Sequence, residues 1–385
     1  MEKVQVLIVG AGPAGLAVAA CLSQFSIPYC IVEREDCSAS LWRKRTYDRL
    51  SLHLAKEFSE LPHMSYPSDT PTYIAKEEFV RYVDAYVDHF NIFPKYSTSV
   101  ESCKYDEVNN YWDVMAHDKV HGLVIEYTTR FLVVATGENS EGIIPEIPGL
   151  QDFPGEVIHS SSYKSWNTYA GNDVLVVGCG NSGMEIAYDL ASHGVETSIV
   201  IRSPVQFMTK WLMNFGMKLI KWRLPVKFVD FILVTSANIL YGDLSKYGIV
   251  RPNMGPFLLK AKTGRTPLID VGTIELIKKG VIKVLSHSIS CIRGHFVEFE
   301  DGEKCSYDSI VLATGYKSTA NRWLKNGEGL LNDKGMPRRE FPNHWKGERG
   351  LYCVGLGMKG LTGICHDAKC VAADIKSVLD SVGPF

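Results

Sequence analysis

The sequence is poor in paired cysteines. Its ten cysteines run from Cys21 to Cys370 with no CxxC, no CxxxxC near either of its glycine-rich loops, and no paired metal-ligand spacing. Scattered thiols speak against a disulfide framework and for a reducing compartment, so a cytoplasmic location is expected. An excess of one charge is also missing: 41 basic residues against 43 acidic leave a net −2, and the basic ones are dispersed. That excludes the electrostatic footprint of a nucleic-acid partner. Long apolar runs are absent too. Phe228–Tyr241 is broken by Asp230 and falls short of the roughly 18 residues of a transmembrane candidate, and Met1–Val9 carries no charged-then-apolar leader.

What is present is ordinary for a soluble globular chain of two or three domains: 385 residues, 45% hydrophobic and 22% charged. The N-terminus reads as strand, turn, helix, strand. The apolar run Val4–Val9 leads into Gly10-Ala11-Gly12-Pro13-Ala14-Gly15, a helical stretch follows through Leu22, and a second strand is expected over Ile27–Val32. The same order recurs at Val174–Val177, Gly178-Cys179-Gly180-Asn181-Ser182-Gly183, a helix ending near Gly194, and a strand over Thr197–Ile201.

In each loop the first glycine permits a tight turn, the second lets backbone approach a pyrophosphate, and the third lets helix and strand pack closely. Glu33, 18 residues after Gly15, can accept both hydroxyls of an adenosine ribose and would repel a 2′-phosphate, which suits FAD or NAD. The alternative is an exposed glutamate beside a structural turn. The second unit has Arg202-Ser203 in the corresponding place, and a guanidinium there suits the 2′-phosphate of NADPH, unless Arg202 is a solvated surface cation.

Two near-identical runs, Phe131–Gly137 and Ile310–Gly315, both end in Ala-Thr-Gly and mark domain borders. The expected fold class is therefore α/β, with two Rossmann-like dinucleotide-binding domains. The NADPH domain (residues 166–315) is inserted into a discontinuous FAD domain (residues 1–165 and 316–385). The stretch from Lys210 to Tyr241 interleaves tryptophan and phenylalanine with lysine and arginine. It fits either a membrane surface or core helices with snorkelling lysines.

A flavin site beside an NADPH site implies electron flow from nicotinamide to flavin. Without a cysteine pair by either loop, oxygen is the better acceptor. Phe153-x-Gly155-x-x-x-His159-x-x-x-Tyr163 matches the identifying pattern of the class B flavin monooxygenases, which the chain resembles. Further segments are similar to the plant YUCCA indole-3-pyruvate monooxygenases: Tyr47–His53, Glu60–Pro62, Pro71–Tyr73, Arg251-Pro252, Thr266–Gly272 and Gly355–Gly363. Lys359 stands where that family has Arg.

The resemblance covers nearly the whole chain. It implies FAD and NADPH as cofactors, indole-3-pyruvate and O2 as substrates, and a flavin C4a-peroxide that attacks the keto carbon to give indole-3-acetate (auxin) and CO2. It also implies that His159 assists NADPH positioning, that Trp42 lies in a segment against the flavin, and that His53 occupies a position where related monooxygenases carry Asn near the flavin. Other readings remain open at this point: an N- or S-oxygenating monooxygenase, a non-catalytic nucleotide-binding regulator, and a disulfide reductase.

Overall fold

The computed structural model describes residues 1–325, 327 and 329–383. The chain divides into two compact units, one formed by Met1–Arg45, Ala55–Glu141 and Tyr316–Phe385, the other by Thr46–Leu54 and Gly142–Gly315.

In the first unit, strand Glu2–Val9 lies between Tyr29–Val32 and Leu123–Val134, parallel to both. Tyr111–Asp118 and Thr98–Asp106 extend the sheet antiparallel, and Leu351–Cys353 returns from the far end of the chain to pair with Leu132–Val134. The expected strand over Ile27–Val32 begins two residues later, at Tyr29; Pro28 has no N–H to give to a ladder. Strand residues Val6, Leu7 and Ile8 are buried on both faces, as an interior parallel strand requires. Helix Pro13–Gln24 starts on a proline, is buried continuously from Ala14 to Leu22, and packs against the C-terminal helix Gly360–Val382.

The second unit has an all-parallel sheet in the order Ile282–Leu285, Glu196–Val200, Asp173–Val177, Ser309–Leu312, Glu156–His159. Its helix Asn181–Ser192 ends where Gly194 supplies the left-handed φ of +80°. Two borders differ from those expected. Residues 142–165 fall in this unit rather than the first, because Glu156–His159 pairs residue for residue with Ser309–Leu312. Thr46–Leu54 also falls here, tied by the Asp48 amide to the Lys164 carbonyl and by the Tyr47 hydroxyl to Glu185.

Lys210–Tyr241 folds as two helices, Lys210–Lys221 and Val226–Tyr241. Their inner faces, Leu212, Met213 and Leu219 on one and Val229, Leu233 and Ala237 on the other, belong to the core. Among the described residues, no helix is long and apolar enough to cross a membrane.

Candidate active site

The two glycine-rich loops have the same geometry to within a few degrees. Gly10 and Gly178 have φ of +111° and +110°, and a Cβ on either would meet a carbonyl oxygen, that of Ala135 at 2.6 Å or of Ala313 at 2.5 Å. This explains the repeated Ala-Thr-Gly: each copy runs directly beneath the first glycine of a loop, its alanine amide bonded to the end of the preceding strand at Val9 or Val177. The third glycines are equally constrained. A Cβ on Gly15 would lie 1.9 Å from the Gly10 oxygen, and one on Gly183 would lie 2.0 Å from that of Gly178.

The middle glycines are different. Gly12 (φ −73°, ψ 178°) and Gly180 (φ −71°, ψ 177°) have extended backbones that any residue can adopt, and a Cβ on either meets nothing within 4 Å. Nothing among the described residues requires glycine there. A ligand pressed against the loop does, and dinucleotide pyrophosphates bind in that way.

In the first unit this space is a cavity of about 510 Å³. Its walls include Gly10, Gly12, Pro13 and Ala14 at the helix start, Glu33, Leu41 and Trp42, and Gly355 and Leu361 near the C-terminal helix. Ala11 lies buried in the same loop, and its amide donates to Oε2 of Glu33 at 2.7 Å; the Glu35 amide donates to Oε1 at 3.0 Å. Burial raises the Glu33 carboxyl above its ordinary range, while the two amides favour the carboxylate. Each oxygen keeps a further lone pair, so a ribose diol can be accepted alongside the amides. Thr136 lines the cavity with a buried hydroxyl that has no partner among the described residues. Trp42 is braced from behind by Phe79, ring centroids 4.5 Å apart. A mixed polar and apolar chamber with an unpartnered hydroxyl and an open middle glycine fits FAD.

The second loop carries Cys179, Asn181 and Ser182. Asn181 Oδ1 accepts the Ile269 amide at 2.8 Å, which ties the loop to the short strand Leu268–Ile269. Arg202 and half-buried Ser203 follow strand Glu196–Val200, and Arg202 is exposed and makes no hydrogen bond or ion pair among the described residues. Burial raises the Cys179 thiol, and the cations of Arg265 and Arg202 both act against that rise. Arg265 is therefore a second exposed cation beside this loop. Sequence spacing gave no sign of it, since it lies 63 positions after Arg202. The available signal was Thr266–Gly272, the segment it introduces.

The Phe153–Tyr163 motif is knitted into the second unit position by position. Phe153 is in an apolar cluster, a Cβ on Gly155 would meet the Asp308 oxygen at 1.9 Å, and the Tyr163 hydroxyl donates to Asp189 at 2.7 Å. His159 is buried. Its Nε2 donates to the Gly315 carbonyl at 3.0 Å, its Nδ1 accepts the Ser161 amide at 3.2 Å, and the Gly142 backbone lies so close to the ring that a Cβ there would touch it at 2.5 Å. Burial lowers its pKa, in keeping with a neutral ring. These bonds occupy both ring nitrogens, and the ring is bonded to Gly315 and packed against Gly142, the two ends of the inserted segment.

His53 is not among the walls of the cavity. Its Nε2 lies 2.7 Å from Oε1 of Glu185, whose Oε2 accepts the Tyr47 hydroxyl at 2.9 Å. The carboxylate, only 4% exposed, fixes a proton on Nε2.

Among the described residues no cysteine lines the cavity and all ten are free. Cys365 and Cys370 have CxxxxC spacing but sit on one continuous helix. Five residues of helix place them about 140° apart around the axis, which prevents a disulfide.

Residues 7–214 match the family model described as pyridine nucleotide-disulphide oxidoreductase. Over 379 residues, 98% of each chain, the sequence is 52% identical to the probable indole-3-pyruvate monooxygenase YUCCA10 of Arabidopsis thaliana. The chain belongs to the YUCCA family of indole-3-pyruvate monooxygenases. A further relative is the rice indole-3-pyruvate monooxygenase YUCCA1, 45% identical over 96% of this chain and 90% of that one. A flavin-containing monooxygenase from Stenotrophomonas maltophilia has the same fold, with a TM-score of 0.73 at 19% identity, covering 98% of this chain and 99% of that one. Membership in the YUCCA family gives the two loops their setting: the fold is that of the class B flavin monooxygenases, and it is reached here without a redox cysteine pair at the cavity.

Proposed function

We propose that this chain is an NADPH-dependent flavin monooxygenase that converts indole-3-pyruvate, O2, NADPH and a proton to indole-3-acetate, CO2, NADP⁺ and water. One observation carries the reading: 52% identity, sustained over nearly the whole length, to a YUCCA protein named for that substrate.

Gly10, Ala11, Gly12, Pro13, Ala14 and Gly15 would hold the FAD pyrophosphate, Glu33 its ribose, and Trp42 a wall of the same chamber. Gly178, Cys179, Gly180, Asn181, Ser182 and Gly183 would hold NADPH, with Arg202, Ser203 and Arg265 at its 2′-phosphate. Bound flavin supplies the oxygen-activating chemistry. The chain's part is to orient the two nucleotides, exclude water and keep protons in place. His159 supports the NADPH unit from behind as a neutral clamp. His53, its proton held on Nε2 by Glu185, is the proposed proton-holding group.

The reading is tested by offering the flavin-loaded protein indole-3-pyruvate, a thioether and a tertiary amine in parallel with NADPH. Indole-3-acetate as the main product supports it. Oxygenation of the thioether or amine with the 2-oxo acid untouched overturns the substrate, and no NADPH oxidation with any of them overturns the enzyme.

A further inference from the structure

The helices Lys210–Lys221 and Val226–Tyr241 are joined by residues 222–225 and anchored by their inner faces. A Cβ on Gly216 would come within 2.7 Å of Leu233, so the two helices cross closely, and Asp230 is buried and accepts the Phe257 and Leu258 amides. The packing needs of both helices are met on that side. The other side is aromatic nonetheless.

Trp211 is 66% exposed, Trp222 72%, Phe228 52% and Phe231 68%. Trp211, Phe215, Lys218 and Trp222 follow one another at helical spacing along one face, with the rings of Trp211 and Phe215 stacked at 5.6 Å. Phe228 and Phe231 lie just beyond the turn. Trp222, Phe228 and Phe231 cluster at the turn between the helices, while Trp211 lies at the far end of the first helix. Exposed aromatics clustered in this way are not explained by the core, and such patches mark contact surfaces.

Within this stretch the exposed charge has one sign. From Lys210 to Tyr241 there are five basic residues and a single acidic one, and the acidic one is the buried Asp230. Lys218, Lys221, Arg223 and Lys227 surround the turn, and all four are exposed. Lysine is depleted from protein–protein interfaces. Tryptophan is enriched at the headgroup level of bilayers, and basic residues beside an apolar face draw it to anionic lipid.

We propose that the turn between these helices, with Trp222, Phe228 and Phe231 at its apolar end and Lys221, Arg223 and Lys227 around it, docks peripherally on an anionic bilayer surface. The aromatic side chains enter the headgroup boundary while the lysine and arginine heads stay among lipid phosphates. No segment crosses the bilayer, and the proposal does not depend on which substrate the enzyme oxidises.

Flotation of the flavin-loaded protein with phosphatidylcholine vesicles, with and without phosphatidylserine, tests this. The expected result is co-flotation with the anionic vesicles, weakened by salt. The triple variant Trp222→Ser, Phe228→Ser, Phe231→Ser should stay in solution, and Lys221→Glu with Arg223→Glu should lower partitioning by about tenfold or more. Both variants should keep their flavin and their NADPH oxidase activity, which shows that the fold survives. If a variant fails to fold, the salt and lipid dependence of the unmodified protein still decides. Absence of flotation with anionic vesicles overturns the proposal, as does flotation indifferent to the substitutions. Aromatic-dependent self-association without flotation also overturns it, and would assign the patch to a second copy of the chain.

Discussion

Gly15 lies so close to Gly10 that a Cβ on the first would stand 1.9 Å from the carbonyl oxygen of the second, whereas Gly12 between them faces open space. The same loop thus contains glycines needed for two reasons, and substitution separates them. Gly15→Ala drives a methyl into backbone and should cost about 3 kcal/mol, the upper end of what overpacking usually costs, seen as lowered expression and an early unfolding midpoint. Gly12→Ala should change stability by no more than about 1 kcal/mol while weakening FAD retention about tenfold or more. Apo-protein unfolding and flavin titration read the two effects independently. Full flavin occupancy in Gly12→Ala would remove the assignment of the first loop.

Arg202 and Arg265 should share the 2′-phosphate. Loss of a charge-assisted hydrogen bond is worth about 1.5–3 kcal/mol, so each alanine variant should reduce the preference for NADPH over NADH by roughly ten- to a hundredfold. The affinity for NADH should change little. Steady-state kinetics with both nucleotides measures this, and an unchanged ratio in Arg265→Ala would return that residue to the solvated surface.

His159 gives stability a pH dependence with a definite sign. Its folded pKa lies below its ordinary value, so the unfolded chain takes up a proton first as pH falls. Its contribution is fully present above about pH 6.5 and declines as acidification proceeds towards the folded pKa, at a slope of at most about 1.4 kcal/mol per pH unit. In His159→Gln, an amide that cannot titrate, that slope disappears. Urea unfolding of both proteins at about pH 7.5 and about pH 5.5 provides the comparison. Equal losses in the two would show that His159 is not responsible.

His53→Ala should leave flavin content and nucleotide preference intact while raising the share of NADPH electrons that end in hydrogen peroxide. Glu185→Gln should move the same share in the same direction, because the carboxylate fixes the proton on Nε2. Peroxide release per NADPH is the readout, and an unmoved value in both variants makes His53 a bystander.

Much of this was legible in the sequence because the Rossmann units are local: strand, loop and helix follow one another, and glycine spacing records both packing and ligand approach. The borders were not. Glu156–His159 reads as the tail of the first domain until its ladder to Ser309–Leu312 is seen, and no local pattern tells Thr46–Leu54 to join the second unit through Glu185. Arg265 escaped for the same reason, since a two-residue strand brings its segment to the loop. The Lys210–Tyr241 stretch allowed two readings because helical periodicity shows that one face is buried, but not that aromatic rings also cover the other.

Oxygen transfer to the 2-oxo acid is followed most directly with isotope. The flavin-loaded protein is given indole-3-pyruvate, NADPH and ¹⁸O2, with catalase present so that free peroxide cannot decarboxylate the 2-oxo acid by itself. The expected product is one indole-3-acetate per NADPH consumed, with one labelled oxygen in its carboxylate. NADPH consumption with no indole-3-acetate once catalase is present, or an unlabelled product, would contradict that transfer.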